Sequence, residues 1–271
     1  MKQITILAAW MISCLAISTF QTPNLTEKMK PDKEITLTIL YDNYKYKEGF
    51  RNSWGFSCLI EGPGPTILFD TGGGDGNLMH NFKAAGKDPK MVDIIVLSHI
   101  HADHTGGIDD ILKSKTGIDV YMPASFPADF QHGIEAQGAH PVLVSDVREI
   151  SENVWSTGEM GTSIIEQSLV VETPKGLVVI TGCAHPGIED IVSKAQEIKD
   201  EQILLVMGGF HLLRTGNDAV ESIAREFKEK NILYAAPTHC SGDGTIKTFK
   251  EVFGEHYLKL GTGRVLETAG M

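Results

Sequence analysis

The chain has 271 residues, 42% of them hydrophobic, and a formal net charge of −11. That length supports a large core, as one broad domain or two fused halves. An acidic chain without a run of Lys or Arg argues against a nucleic-acid binder, which would show a basic patch, but it leaves an anionic small molecule open, because a metal centre supplies local positive charge.

The first element is a leader. Met1-Lys2 precedes an apolar run over residues 4–17, and the small residues Ala16 and Ser18 suit cleavage after Ser18. Residues 1–18 are therefore expected to be an export signal and 19–34, with Pro23 and Pro31, a polar tether. The alternative is an uncleaved membrane anchor, although the run is short for a span. Cys14 follows Met11-Ile12-Ser13, a poor lipoprotein signature. No later segment reads as membrane-spanning, so an exported protein, periplasmic or extracellular, is expected. After cleavage Cys58, Cys183 and Cys240 remain, too few for a disulfide framework.

Residues 35–271 read as one domain. Strands are predicted over 35–40 and 54–61, the second closed by the turn Gly62-Pro63-Gly64-Pro65. A short buried strand over 66–69 ends at Asp70-Thr71-Gly72, a helix follows over 77–85, and the apolar run 92–98 is a strand. A helix over 108–115 and short strands over 120–122 and 142–144 come next; residues 124–140 show no period and read as loop or short helix. Residues 168–172 and 177–181 pair as a hairpin around Thr173-Pro174-Lys175-Gly176. Helical spacing over 188–198, a strand over 203–207, an amphipathic helix over 219–230, a strand over 232–235, a helix over 245–253 and a strand at Val265-Leu266 complete the chain. Two strand-rich halves, each with helices, predict an α/β protein with a two-sheet core and helices outside.

The densest chemistry is His99-Ile100-His101-Ala102-Asp103-His104, at a strand-to-helix turn. Packing needs no such set, whereas imidazoles with a carboxylate suit Zn²⁺, Fe or Mn²⁺. His99 and His101 reach one ion if the turn bends them together; Asp103 and His104 fall one helical step on, which leaves room for a second. Other marked residues also close predicted strands: Asp70, Cys183-Ala184-His185, His211, and His239-Cys240. Loops on one rim of a sandwich converge, so these are expected at one site. His185 and His239 are expected as ligands, His211 as a substrate contact or support, and Asp70 as the carboxylate holding a histidine's far nitrogen. Cys183 and Cys240 are expected to line the site. His80, His132, His140 and His256 read as solvent-exposed, and Asp75, Asp109 and Asp110 as helix-capping or solubilising.

The motif 98–107 resembles the signature of the metallo-β-lactamase superfamily, and Asp70-Thr71-Gly72 resembles its first motif. Residues 181–187, 208–212 and 237–242 resemble the branch of the archaeal dihydropterin ribofuranosylaminobenzene 5′-phosphate synthase and its bacterial relatives. The resemblance implies a four-layer αβ/βα sandwich, with His99, His101 and His185 at one metal and Asp103, His104 and His239 at another. It covers about 35–267 and departs from the superfamily after Gly182, where many members carry a bridging aspartate and this chain has Cys183. Glu166 or His211 could then complete the set, and Cys183 and Glu166 otherwise stand behind the ligands.

The expected activity is a hydrolase in which one or two divalent ions, zinc first and manganese or iron next, activate water against an ester, phosphoester or lactone-type bond. Asp103 and His211 are the expected catalytic groups, and loops such as 124–140 the expected pocket. The alternatives are an iron-dependent redox enzyme of the same fold, supported only by Cys183 and Cys240, synthase-type chemistry like that of the branch, and a non-catalytic metal-binding module.

Overall fold

The computed structural model describes residues 34–271, so the expected export signal and the tether up to residue 33 lie outside the described residues. The elements in chain order are β1 (Thr36–Tyr41), β2 (Ser57–Glu61), β3 (Ile67–Phe69), α1 (Asn77–Ala84), β4 (Ile94–Val96), α2 (Ala102–Thr105), α3 (Ile108–Ser114), β5 (Asp119–Pro123), α4 (Ala128–Ala136) and β6 (His140–Val144). The second half adds β7 (Arg148–Ser151), β8 (Val154–Ser156), β9 (Leu169–Thr173), β10 (Gly176–Thr181), α5 (Ile188–Ile198), β11 (Ile203–Gly209), α6 (Asn217–Glu229), β12 (Tyr234–Thr238), α7 (Gly242–Phe253) and β13 (Val265–Glu267).

The strands form two sheets, in the orders β13-β1-β2-β3-β4-β5-β6 and β12-β11-β10-β9-β8-β7. The outer strands of each order begin or end antiparallel, but β3 to β6 are parallel to one another, and so are β10 to β12. Period-two alternation decides the layers. Val178 and Ile180 of β10 pack between the sheets with Ile39, Phe69, Val96 and Val171. Leu177 and Val179 face the other way, onto Ile191 of α5, Phe227 of α6 and Phe249 of α7. On the first sheet, Leu59, Leu68 and Ile95 face Phe82 of α1 and Ile111 of α3. The result is the helix–sheet–sheet–helix layering that the resemblance implied. A register shift between Leu177 and Val178 lets Leu204 and Leu205 of β11 both enter the inter-sheet core.

Three stretches sharpen or correct the sequence reading. Residues 124–140, read as loop or short helix, contain the nine-residue α4, which packs on β6 and buries Ile134; the exposed Gly133 at mid-helix hides the period. The hairpin β7–β8 was not anticipated, because its turn at Glu152-Asn153 lacks glycine and its first strand is charged. The strand expected from Trp54 begins only at Ser57, since Gly55 adopts φ +142 with the Asp103 carbonyl where its Cβ would be, at 2.4 Å. Among the described residues no helix is long and apolar enough to cross a membrane.

Candidate metal centre

A parallel strand delivers its following residues to one end of the sheet, and here both sheets deliver to the same rim. Asp70 follows β3, and His99 follows β4. His101 is the residue before α2, while Asp103 and His104 lie in its single turn. From the other sheet, Cys183 and His185 follow β10, His211 follows β11 and His239 follows β12. Among the described residues six non-glycine residues have positive φ; Asn153 and Asn231 are of the type that tolerates it, but Asp70, Ala184, His211 and His239 all sit at this rim.

The structure brings His99, His101 and His185 together, and separately Asp103, His104 and His239, with the donor atoms of each set within 4.8 Å of one another. Hydrogen bonds fix the tautomers. His104 Nδ1 faces Asp70 Oδ2 at 2.7 Å, and His185 Nδ1 faces Glu166 Oε2 at 2.8 Å. His239 Nδ1 faces Asn43 Oδ1 at 2.9 Å. His99 Nδ1 donates to Ser98 Oγ at 2.9 Å, whose own hydrogen goes to Asp70 Oδ2 at 2.8 Å. In each ring the proton is held on Nδ1, so the Nε2 lone pairs converge. His104 Nε2 and His239 Nε2 then face each other at 3.2 Å, with Asp103 Oδ2 3.4 Å from His239 Nε2; burial lowers His239, but hydrogen bonding to Asp103 outweighs it and raises the ring above its ordinary value. A cation among the three would take the place of that added proton, and the nitrogen-rich set with one carboxylate fits a divalent metal.

Electrostatics agree. Burial, then the nearby His104, push His99 down to about 3; burial, then His239, push His104 down to about 3. Both rings are therefore neutral donors at neutral pH, as metal binding requires. Burial raises Asp103, but hydrogen bonding to His239, with the neighbouring His104 ring behind it, outweighs burial and holds the carboxyl well below the usual range. The same competition holds Glu166 low, through His185 and His99. Burial lifts Asp70 to about 7 against the pull of His99 and Ser98, so a positive charge beyond His104 would help to keep it ionised.

Some expected roles meet a different geometry. Glu166 does not enter either set: both oxygens are occupied, accepting from the backbone N–H of Cys183, Ala184 and His185 at 2.8, 2.9 and 3.0 Å besides the His185 ring. Cys183, read as standing behind the ligands, has its sulfur among them, 3.3 Å from His104 Nε2. His211 lies exposed at the mouth, its ring centroid 4.4 Å from that of His185. Of the histidines read as exposed, His132, His140 and His256 are, while His80 is half-buried and bonds the Gly49 carbonyl at 2.8 Å.

Sequence reasoning missed Asn43, Trp54 and Arg214. Asn43 follows β1 and so obeys the strand-end rule, but an asparagine carries no ligand signal. Trp54 stacks obliquely on His239, with centroids 5.0 Å apart. With His211, Leu213, Arg214 and Cys240 it lines a cleft of about 300 Å³ beside the centre.

A layered αβ/βα sandwich with a histidine-rich centre spanning both sheet ends defines a class of proteins that hold divalent metal on one rim. The chain belongs to the metallo-β-lactamase superfamily, whose family model matches residues 55–244. It is 28% identical to the 7,8-dihydropterin-6-methyl-4-(β-D-ribofuranosyl)-aminobenzene-5′-phosphate synthase of Methanocaldococcus jannaschii, over 88% of this chain and 98% of the relative. It is also similar to Tm1679, whose crystal structure is described as a metal-dependent hydrolase of the β-lactamase superfamily, at 29% identity and a TM-score of 0.74, covering 86% of this chain and 99% of that one. The metallo-β-lactamase fold protein YhfI from Bacillus subtilis shares the fold at 16% identity and a TM-score of 0.66, over 87% and 99% of the two chains.

Proposed function

We propose that the protein is a metal-dependent hydrolase acting on an ester, phosphoester or lactone-type bond in an anionic small molecule, outside the cytoplasm. The observation that carries this reading is the convergence of ring nitrogens from the buried His99, His104 and His239 and the half-buried His185 beside an open cleft. A divalent ion, best matched by zinc, would polarise the bond under attack and lower the pKa of water at the site toward ~7.

The chain's own groups do the rest. Asp103 is 24% exposed where His104 and His239 are fully buried, so its carboxylate is the member of that set able to take a proton from water on the cleft side. His211 stands across the mouth, placed to donate to a leaving oxygen. Arg214, exposed at the cleft and without a hydrogen-bond or ion-pair partner among the described residues, supplies positive charge for an anionic group on an otherwise acidic chain. Export rests on the apolar run 4–17 and Ser18. Similarity to a synthase over most of the chain supports a second reading, bond formation at the same centre.

The deciding experiment is a panel of carboxylic esters, phosphomonoesters, phosphodiesters and lactones, offered to protein loaded with zinc, manganese or iron. Turnover that His101→Ala abolishes, with unchanged circular dichroism, is expected. Fully loaded protein that hydrolyses none of them would overturn the hydrolase reading in favour of bond formation. Fractionation of cells expressing the full chain tests export.

A further inference from the structure

One sulfur touches both histidine sets. The donor atom of Cys183 lies within 4.8 Å of those of His99 and His185 from the first set and of His104 and His239 from the second. The residue is buried, 4% exposed, and its sulfur lies 3.3 Å from His104 Nε2. The backbone is built to put it there. A Cβ on Gly182 would lie 2.1 Å from Ser98 Oγ and 2.9 Å from Asp70 Oδ2, so the segment is pressed directly against the other sheet's histidine support. A Cβ on Gly209 would meet the Gly182 carbonyl at 2.4 Å and the Cys183 Cα at 3.2 Å. Ala184 takes φ +61, and Glu166 clamps the N–H groups of residues 183 to 185. Cys240 is the other thiol nearby, but among the described residues it shares a donor set only with Cys183 and His239, and its Sγ donates to the Cys183 carbonyl at 3.5 Å.

We propose that Cys183 bridges two divalent ions as a thiolate, one ion held by His99, His101 and His185 and the other by Asp103, His104 and His239. The proposal rests on the metal-dependent reading above. On metal binding the Cys183 S–H bond gives its proton to solvent, and two sulfur lone pairs go to the two ions, with no change of oxidation state. A soft bridging donor biases the centre toward zinc or iron and against magnesium or calcium.

The test is metal content together with zinc-edge X-ray absorption of the holoprotein. Wild type is expected to hold two zinc ions per chain with a sulfur neighbour at about 2.3 Å. Cys183→Ser should lose the sulfur neighbour and fall toward one ion. Cys183→Asp should regain two ions without sulfur, which separates bridging from a folding defect. Cys240→Ser should leave the wild-type signal intact. Sulfur that persists in Cys183→Ser and vanishes in Cys240→Ser would overturn the proposal and assign Cys240 instead. Two ions with no sulfur neighbour in wild type would sink the bridge while leaving the hydrolase reading standing; wild type that takes up no metal would sink both.

Discussion

Asp70 makes three short contacts with one carboxylate, to the Ser98 N–H at 2.7 Å, the Ser98 hydroxyl at 2.8 Å and the His104 ring at 2.7 Å. Asp70→Asn keeps the shape but sets an amide against a ring nitrogen that must donate, so His104 is driven to the wrong tautomer. Metal affinity should fall about 10–100-fold, measured by competition with a chromophoric chelator; an unchanged affinity would show that Asp70 does not orient the ring. Replacement of Arg214 by Gln belongs to the same scale. It should raise KM for an anionic substrate and leave kcat nearly unchanged, because the guanidinium reaches the cleft and not the paired donor sets. A kcat loss at constant KM would place Arg214 in the chemistry instead. At this scale the sequence was legible wherever a ligand-type residue closed an apolar run, as with Asp70, His99, His185 and His239. Glu166 sits in irregular chain between β8 and β9, and only the fold shows its oxygens clamping residues 183 to 185.

Elements position these residues by packing. Phe210, at the end of β11, meets Phe227 of α6 and Phe249 of α7 with centroids 6.0 and 5.4 Å away, and those two rings lie 5.6 Å apart. This three-ring contact fixes the helices against the strand that carries His211. Phe249→Ala removes the shared ring and should cost about 3–5 kcal/mol in urea unfolding; a loss below about 1 kcal/mol would mean that the site's backing does not depend on it. Gly209→Ala should act differently, driving a methyl toward the Gly182 carbonyl and the Cys240 sulfur, at 2.4 and 2.7 Å. Its expected signature is lost metal stoichiometry beyond any loss of stability. Helices α5, α6 and α7 were readable because one apolar face repeats at helical spacing. Helix α4 was legible only as loop or short helix, since Gly133 interrupts it, and β7 and β8 are short strands without the alternation that marks a strand in sequence.

For the whole molecule, buried titratable groups set the acid response of the metal-free protein. His99 and His104 are held at about 3 against an ordinary 6.5, so the unfolded chain binds more protons and stability is lost as pH falls below about 6.5. Asp70 at about 7 and Asp42 at about 6, both raised chiefly by burial from an ordinary 3.8, act in the opposite sense and gain stability as pH falls through those values. The two pairs offset each other down to about pH 4.5. Below that, Asp103 and Glu166, both held low in the fold, add to the histidine loss, while the gain from Asp70 and Asp42 runs out as pH passes their ordinary 3.8. Urea midpoints should therefore stay nearly flat between about pH 6.5 and 4.5 and then drop steeply; a steady decline from pH 7 would refute that balance. The split of the donors between the segment after β4 and those after β10 and β12 has a kinetic consequence. Neither sheet alone owns a complete set, so a bound ion would act as a rivet that can be driven only after the two halves have closed. A nascent or half-unfolded chain has no high-affinity site to scavenge metal, and chelation should hasten unfolding while leaving the folding rate untouched.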